Sequence, residues 1–265
     1  MALDTQSLLN KTDTPQYKKI ISLKPNITMI LKDLGLNKEI VGVTKFCKTP
    51  NPEAQIVGDY NSVDLEGVLR LKPDLVLIST ENTQSRQFDA LKSARLNIKV
   101  FDFKTFDQFI VSLKEIAALL GLQARGTAVI KQIEAQLAAL REKLVIPKQP
   151  PKSFIVLVQR HPLMVATGNT YISTLFKKAG LLNVFEFNRI PYPVMDEEEI
   201  IREIVDYTFD ISHRTEAEVE THFLNKTIIP LNTEDFIATP QSVDNLVRLM
   251  HSLNANNPKS GLTNN

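Results

Sequence analysis

The chain has 265 residues, 43% of them hydrophobic, and its 31 Lys and Arg nearly balance 30 Asp and Glu for a net charge of +1. That length allows one large or two modest domains with a full core, and the even charge, without a basic block or basic–aromatic stripe, argues against nucleic acid as partner. Cys47 is the single cysteine, which excludes an intrachain disulfide and a cysteine-based zinc site, and no apolar run approaches the ~18 residues of a membrane span.

Residues 1–18 are polar and read as a disordered tail without the apolar core of a signal peptide. They suit either a native cytoplasmic start or a mature exported chain carrying a new Met. Lys19 to Leu23 reads as a strand, Pro25-Asn26 as a break, and Ile27 to Leu34 as a helix stopped by Gly35. Ile40 to Thr44 is a second strand, followed by a polar loop holding Cys47, Pro50 and Pro52. Asp64 then caps a helix to Leu71, and Asp74 to Ser79 has the unbroken apolar character of a buried strand. Helix Thr83 to Ala94, strand Ile98 to Phe103 and helix Phe106 to Leu120, stopped by Gly121, complete the first half.

Gln123 to Leu144 is predicted as one helix, with Val129, Ile130, Ile133, Leu137, Leu140 and Leu144 on one face. At ~1.5 Å per residue it makes a rod of roughly 33 Å, ended by Pro147, Pro150 and Pro151. It suits either a surface helix of one domain or a connector between two.

The second half repeats the alternation: strands Phe154 to Val158 and Leu163 to Ala166, helix Thr170 to Ala179 before Gly180, helix Asp196 to Ile204 and strand Tyr207 to Ile211. Thr215 and Glu218 have the spacing of a capping box for a helix to about Leu224. Thr227 to Leu231 is a last strand and Ser242 to Leu253 a closing helix, before an Asn-rich tail, 254–265, read as disordered. Alternating strands and helices predict α/β lobes, each a mostly parallel sheet flanked by helices.

Two segments correspond. Asp64-Leu-Glu66-Gly-Val-Leu-Arg-Leu-Lys-Pro-Asp74 and Asp196-Glu-Glu198-Glu-Ile-Ile-Arg-Glu-Ile-Val-Asp206 both run D-x-E, an apolar pair, Arg, and a second Asp ten residues after the first. With like element order on either side of the long helix, this predicts two similar lobes joined by one long rigid α-helix. The boundaries are 19–122, 123–146 and 147–253. Glu66 and Glu198 fall near N2, where the helix dipole favours a carboxylate. They are either plain dipole-stabilised surface acids or a pair of contacts for a partner with two basic sockets.

Beyond the repeat, Ile20-Ile-Ser-Leu-Lys-Pro-Asn26, Val41-Gly-Val43, Leu71-Lys-Pro-Asp-Leu-Val-Leu77, Arg189-Ile-Pro-Tyr-Pro193 and Ile229-Pro-Leu231 before Phe236 occur in order. Over roughly Lys19 to Leu253 the chain resembles the substrate-binding proteins of ABC importers for cobalamin, ferric siderophores and haem. That resemblance implies a periplasmic or extracytoplasmic monomer that holds a metal chelate in a cleft between lobes and delivers it to a membrane permease. It also implies that Glu66 and Glu198 meet permease arginines. The arrangement is most similar to the cobalamin branch, in which aromatics at the positions of Tyr60 and Tyr192 pack on the corrin and an acid at the position of Glu234 touches ligand. Ser79 and Val165 stand where that branch has aromatics, and the Arg after Phe236 is absent.

Lys45, Lys48, Arg160 and His161 fall in loops expected to face the cleft, where cations suit an anionic ferric chelate. Haem is a third ligand, with Tyr60 or His161 as axial groups. A chelate that brings its own iron or cobalt asks for no protein cofactor or metal site, and His161, His213, His222 and His251 have no metal-ligand spacing. Two alternatives remain in other classes. A ligandless scaffold would keep the fold without the pocket. A two-domain enzyme would need a signature such as GxGxxG, GxxxxGK[ST] or GxSxG, and none occurs.

Overall fold

A computed structural model describes residues 15–59, 62–82, 86–212 and 222–255. By internal contacts the chain separates into two compact units, one running through Gln132 and including Ala238–Pro240, the other Ile133–Ile237 and Gln241 onward.

In the first unit the order is β1 (Ile20–Ser22), α1 (Pro25–Asp33), β2 (Ile40–Val43), β3 (Gln55–Ile56), α2 (Leu65–Leu71), β4 (Leu75–Ser79), α3 (Arg86–Ser93), β5 (Ile98–Phe101) and α4 (Phe106–Leu119). The five strands pair in parallel in the order β3-β2-β1-β4-β5. Successive strand residues point to opposite faces. One face gathers Ile21, Val76, Ile78, Val68 and Leu91 into a cluster. Ile20, Leu75 and Leu77 project the other way and are also fully buried, so helices cover both faces of the sheet.

Helix α5 (Gln123–Leu144) has the predicted bounds, and the division between the units falls within it. Near its start the Arg125 guanidinium donates to the Leu34 carbonyl at 2.8 Å. Gly126 lets the helix approach α4, since a Cβ there would stand 2.4 Å from the Ala117 methyl. Past its middle Gln136 donates to Asp244.

The second unit continues with β6 (Ser153–Gln159), β7 (Met164–Val165), α6 (Tyr171–Lys178), β8 (Leu182–Asn183), α7 (Glu197–Arg202), β9 (Tyr207–Asp210), β10 (His222–Phe223), β11 (Lys226–Pro230) and α8 (Pro240–Ala255). Its sheet runs β10-β11-β9-β6-β7, with β8 also on β6. Strands β6, β8, β9 and β11 pair in parallel, and β7 and β10 are antiparallel edges. Two mostly parallel sheets flanked by helices agree with the predicted class. An aromatic group of Phe154, Phe176, Phe209 and Phe236, with centroids 5.1–6.1 Å apart, fills one side of this sheet. Ile155, Leu157, Ile200 and Ile228 cluster together.

Two local readings change. Helix α1 begins at Pro25, two residues before the predicted Ile27, because the first turn has no amide hydrogen bond for proline to lose. The capping box of Thr215 and Glu218 lies outside the described residues, but the end of that predicted helix, His222 to Leu224, is not helical. Leu224 and Asn225 have φ of +51° and +60° and close a two-residue hairpin between β10 and β11, the geometry of a primed turn. Asp196 stands at the N-cap of α7 without a side-chain cap bond.

Candidate functional site

In each unit the sheet order reverses beside its first strand, where β1 lies between β2 and β4 and β6 lies between β9 and β7. Ligands of open parallel sheets bind outside the carboxyl ends of strands at such reversals. Both reversals carry an ion pair. In the first unit Lys24, two residues past β1, places Nζ 3.0 Å from Glu81 Oε2, just past β4; the lysine side chain is 9% exposed and the glutamate 60%. In the second, Arg160, directly after β6, holds the Asp210 carboxylate at the end of β9. Its Nη2 lies 2.6 Å and its Nε 3.0 Å from Oδ2, and Asp210 is 1% exposed. The ring of Phe223 covers the guanidinium with its centroid 4.6 Å from Cζ.

Around these edges lie the other sequence candidates. Lys45 is exposed past β2, 3.5 Å from the Asp59 carboxylate, and Lys48 is exposed further along the same loop. Tyr60 lies outside the described residues. His161 is exposed next to Arg160, and Glu234 is exposed in a short helical turn, Thr233–Phe236, after β11. Tyr192 is 46% exposed and belongs to a segment anchored by its backbone: Thr167 donates its amide to the Pro191 carbonyl and its hydroxyl to that of Ile190, and Met164 bridges Val194. With one side of the segment so engaged, Phe187, Ile190, Tyr192 and Val194 present apolar surface to solvent. Ser79 and Val165 are buried within their sheets.

The structure thus brings Arg160 and His161 together at one edge of the second unit and Lys45 and Lys48 at one edge of the first. Arg160, read from sequence as a cleft-facing cation, commits two of its donors to Asp210. Sequence reasoning missed Asp210, fifty residues away with no local signal, and the apolar run Phe187 and Ile190, which stood beside the Arg189-Ile-Pro-Tyr-Pro segment already singled out.

The repeat has a physical basis. Glu66 is the second residue of α2 and Glu198 the second of α7, and both are exposed. Asp64 caps α2 by accepting from the Gly67 amide at 2.9 Å. The last Asp of each repeat ties down the start of the central strand. Asp74 accepts the amides of Lys18 and Lys19, both at 2.9 Å, and Asp206 accepts the Ser153 amide at 2.8 Å and the Lys152 ammonium at 2.6 Å. Burial is the largest influence on the Asp206 carboxyl and pushes its pKa up, yet the hydrogen bonds from Lys152 and Ser153 outweigh it and hold the pKa below the ordinary value. The same bond raises the Lys152 pKa. Among the described residues no group of three His, Cys, Asp or Glu is placed to hold a metal ion.

A family model described as periplasmic binding protein matches residues 20–226. The chain is 25% identical over 191 residues to the vitamin B12-binding protein of Pectobacterium atrosepticum, covering 70% of this chain and 68% of that one. It is 32% identical over 175 residues to the uncharacterized ABC transporter substrate-binding lipoprotein YvrC of Bacillus subtilis, covering 63% and 55% respectively. Among solved structures, a possible iron-binding (periplasmic solute-binding) protein of Staphylococcus epidermidis matches with a TM-score of 0.76 at 18% identity, over 90% of this chain and 99% of that one. At that identity the likeness speaks to the fold.

Proposed function

Because the chain belongs to the periplasmic binding protein family, we propose that it is the substrate-binding component of an ABC importer, working outside the cytoplasm as a monomer, which captures a metal chelate and delivers it to a membrane permease. Its family and its relatives are described by binding, as a vitamin B12-binding protein and as an ABC transporter substrate-binding lipoprotein, so the protein is read as a binding protein and not a two-domain enzyme. The carboxyl edges of the sheets supply the ligand surface, with Tyr192, Tyr60, Lys45, Lys48, His161 and Glu234 as contact residues and Arg160 as support through Asp210. Glu66 and Glu198 are the permease contacts.

One observation favours a corrinoid over an anionic ferric chelate. Three cations at these edges have acids against them, Lys45 with Asp59, Lys24 with Glu81 and Arg160 with Asp210, whereas Phe187, Ile190, Tyr192 and Val194 offer apolar surface. A large ligand with apolar faces and little net charge matches that balance, because aromatic and aliphatic burial supplies affinity without uncompensated charge. The vitamin B12-binding relative supports the same choice.

Isothermal calorimetry and native mass spectrometry with cyanocobalamin, haemin and a ferric siderophore test this. One-to-one binding of cyanocobalamin at micromolar affinity or tighter is expected. Preference for the siderophore or haemin would overturn the corrinoid choice and keep the importer role. Binding of none by a folded chain would favour the ligandless scaffold.

A further inference from the structure

The internal repeat extends past the acids it was noticed for. At a constant offset, Val68 and Ile200 are both fully buried, and their C-terminal neighbours Leu69 and Ile201 are both exposed, at 44% and 43%. Arg70 and Arg202 follow, both exposed. Each short helix therefore shows an acid, an aliphatic side chain three residues later and an arginine after that, while the aliphatic between them enters its own sheet's cluster. Residues three apart on a helix are surface neighbours, so each Glu and its aliphatic partner form one small patch. A lone exposed leucine is ordinary. The same residue class at the same register, with the same exposure and beside the same acid in both units, is not accounted for by the core, which Val68 and Ile200 already serve.

We infer that Leu69 and Ile201 are matched apolar docking knobs, each seating beside Glu66 or Glu198 in one of two like sockets of the membrane permease; this rests on the permease reading above. The charge complement of each patch is a socket with a cation at the carboxylate and an apolar wall beside it. Two equivalent patches on one chain fit a partner that presents that socket twice. The knob supplies desolvated apolar area at the centre of the contact, and the acid supplies orientation. In the second unit Arg202 lies 2.8 Å from Glu198 with both side chains at least three-quarters exposed, a surface pair that a socket cation displaces at little cost.

The test uses host cells lacking their own copy, complemented by the full chain, with uptake of radiolabelled cyanocobalamin and of radioiron as a ferric siderophore scored on whichever the unaltered chain restores. The Leu69→Ser/Ile201→Ser pair is expected to lower uptake at least tenfold with ligand affinity and melting temperature unchanged. Leu69→Met/Ile201→Met keeps apolar area and is expected to retain uptake. The Glu66→Arg/Glu198→Arg pair separates the two levels. If it abolishes uptake while the serine pair transports normally, the knobs are overturned and the permease reading stands. If it transports normally, the permease reading falls and the knobs with it. Loss of a concentration-dependent dimer in the serine pair, with uptake intact, would assign the knobs to self-association and overturn the inference.

Discussion

The two units build the same reversal point from different materials. In the first, Lys24 is buried but its partner Glu81 reaches solvent; in the second, Asp210 is buried and Arg160 nearly so, under the ring of Phe223. Water can replace Glu81 as the partner of Lys24, whereas it can do little for Asp210. The caps differ in the same spirit. Gly67 leaves room for the Asp64 carboxylate, since a Cβ there would stand 2.4 Å from Oδ2, and Asp64 caps its helix. The second unit has Glu199 at the equivalent place, and Asp196 makes no cap bond. The shared elements are therefore held by backbone geometry and by the strand-tying aspartates, while side-chain interactions around them differ.

The largest contrast should come from the ion pairs. Arg160→Met leaves the buried Asp210 without its cation, with the Ser212 amide still donating to Oδ1 at 2.7 Å, and is expected to cost about 3 kcal/mol in denaturant unfolding. Lys24→Met leaves only the half-exposed Glu81 and should cost about 1 kcal/mol or less. Equal costs would mean that the two reversals are energetically alike despite their exposures. A smaller contrast is expected at the caps: Asp64→Ala should cost about 1 kcal/mol and Asp196→Ala only a few tenths, read as shifts in the same unfolding midpoint.

The smallest effect concerns pH. The folded pKa of Asp206 lies below its ordinary value, so its contribution is present above the unfolded carboxylate pKa and lost as pH falls through the folded one. For Lys152, raised in the folded protein, the contribution is present below the unfolded lysine pKa and lost as pH climbs through the folded one. Midpoint-against-pH curves for Asp206→Asn should be slightly flatter at both ends than those of the unaltered chain, and unchanged slopes would locate the titrating groups elsewhere. The pair is partly solvent-exposed, so screening keeps the amplitude small.

Long elements were legible because their periodicity runs for several turns: α5 has the bounds that its apolar face implied, and β4 was marked by an unbroken apolar run from Leu75 to Ile78. Two-residue strands such as β3 and β8 have no period to read, and the hairpin at Leu224 and Asn225 needs positive φ in residues other than glycine. The helix-borne acids Glu66 and Glu198 were legible because the repeat fixes their register locally. The commitment of Arg160 to Asp210 was not, since strand pairing joins residues fifty positions apart and no local pattern announces it.

The return of Ala238–Pro240 to the first unit bears on how the chain is made. These three residues are buried, and they follow nearly all of the second unit in sequence. A chain emerging from the ribosome N-terminus first reaches the end of α5 with the first unit still lacking them, so that unit is completed only after residue 240 has been synthesised. A fragment ending within α5 would lack these three residues of the first unit.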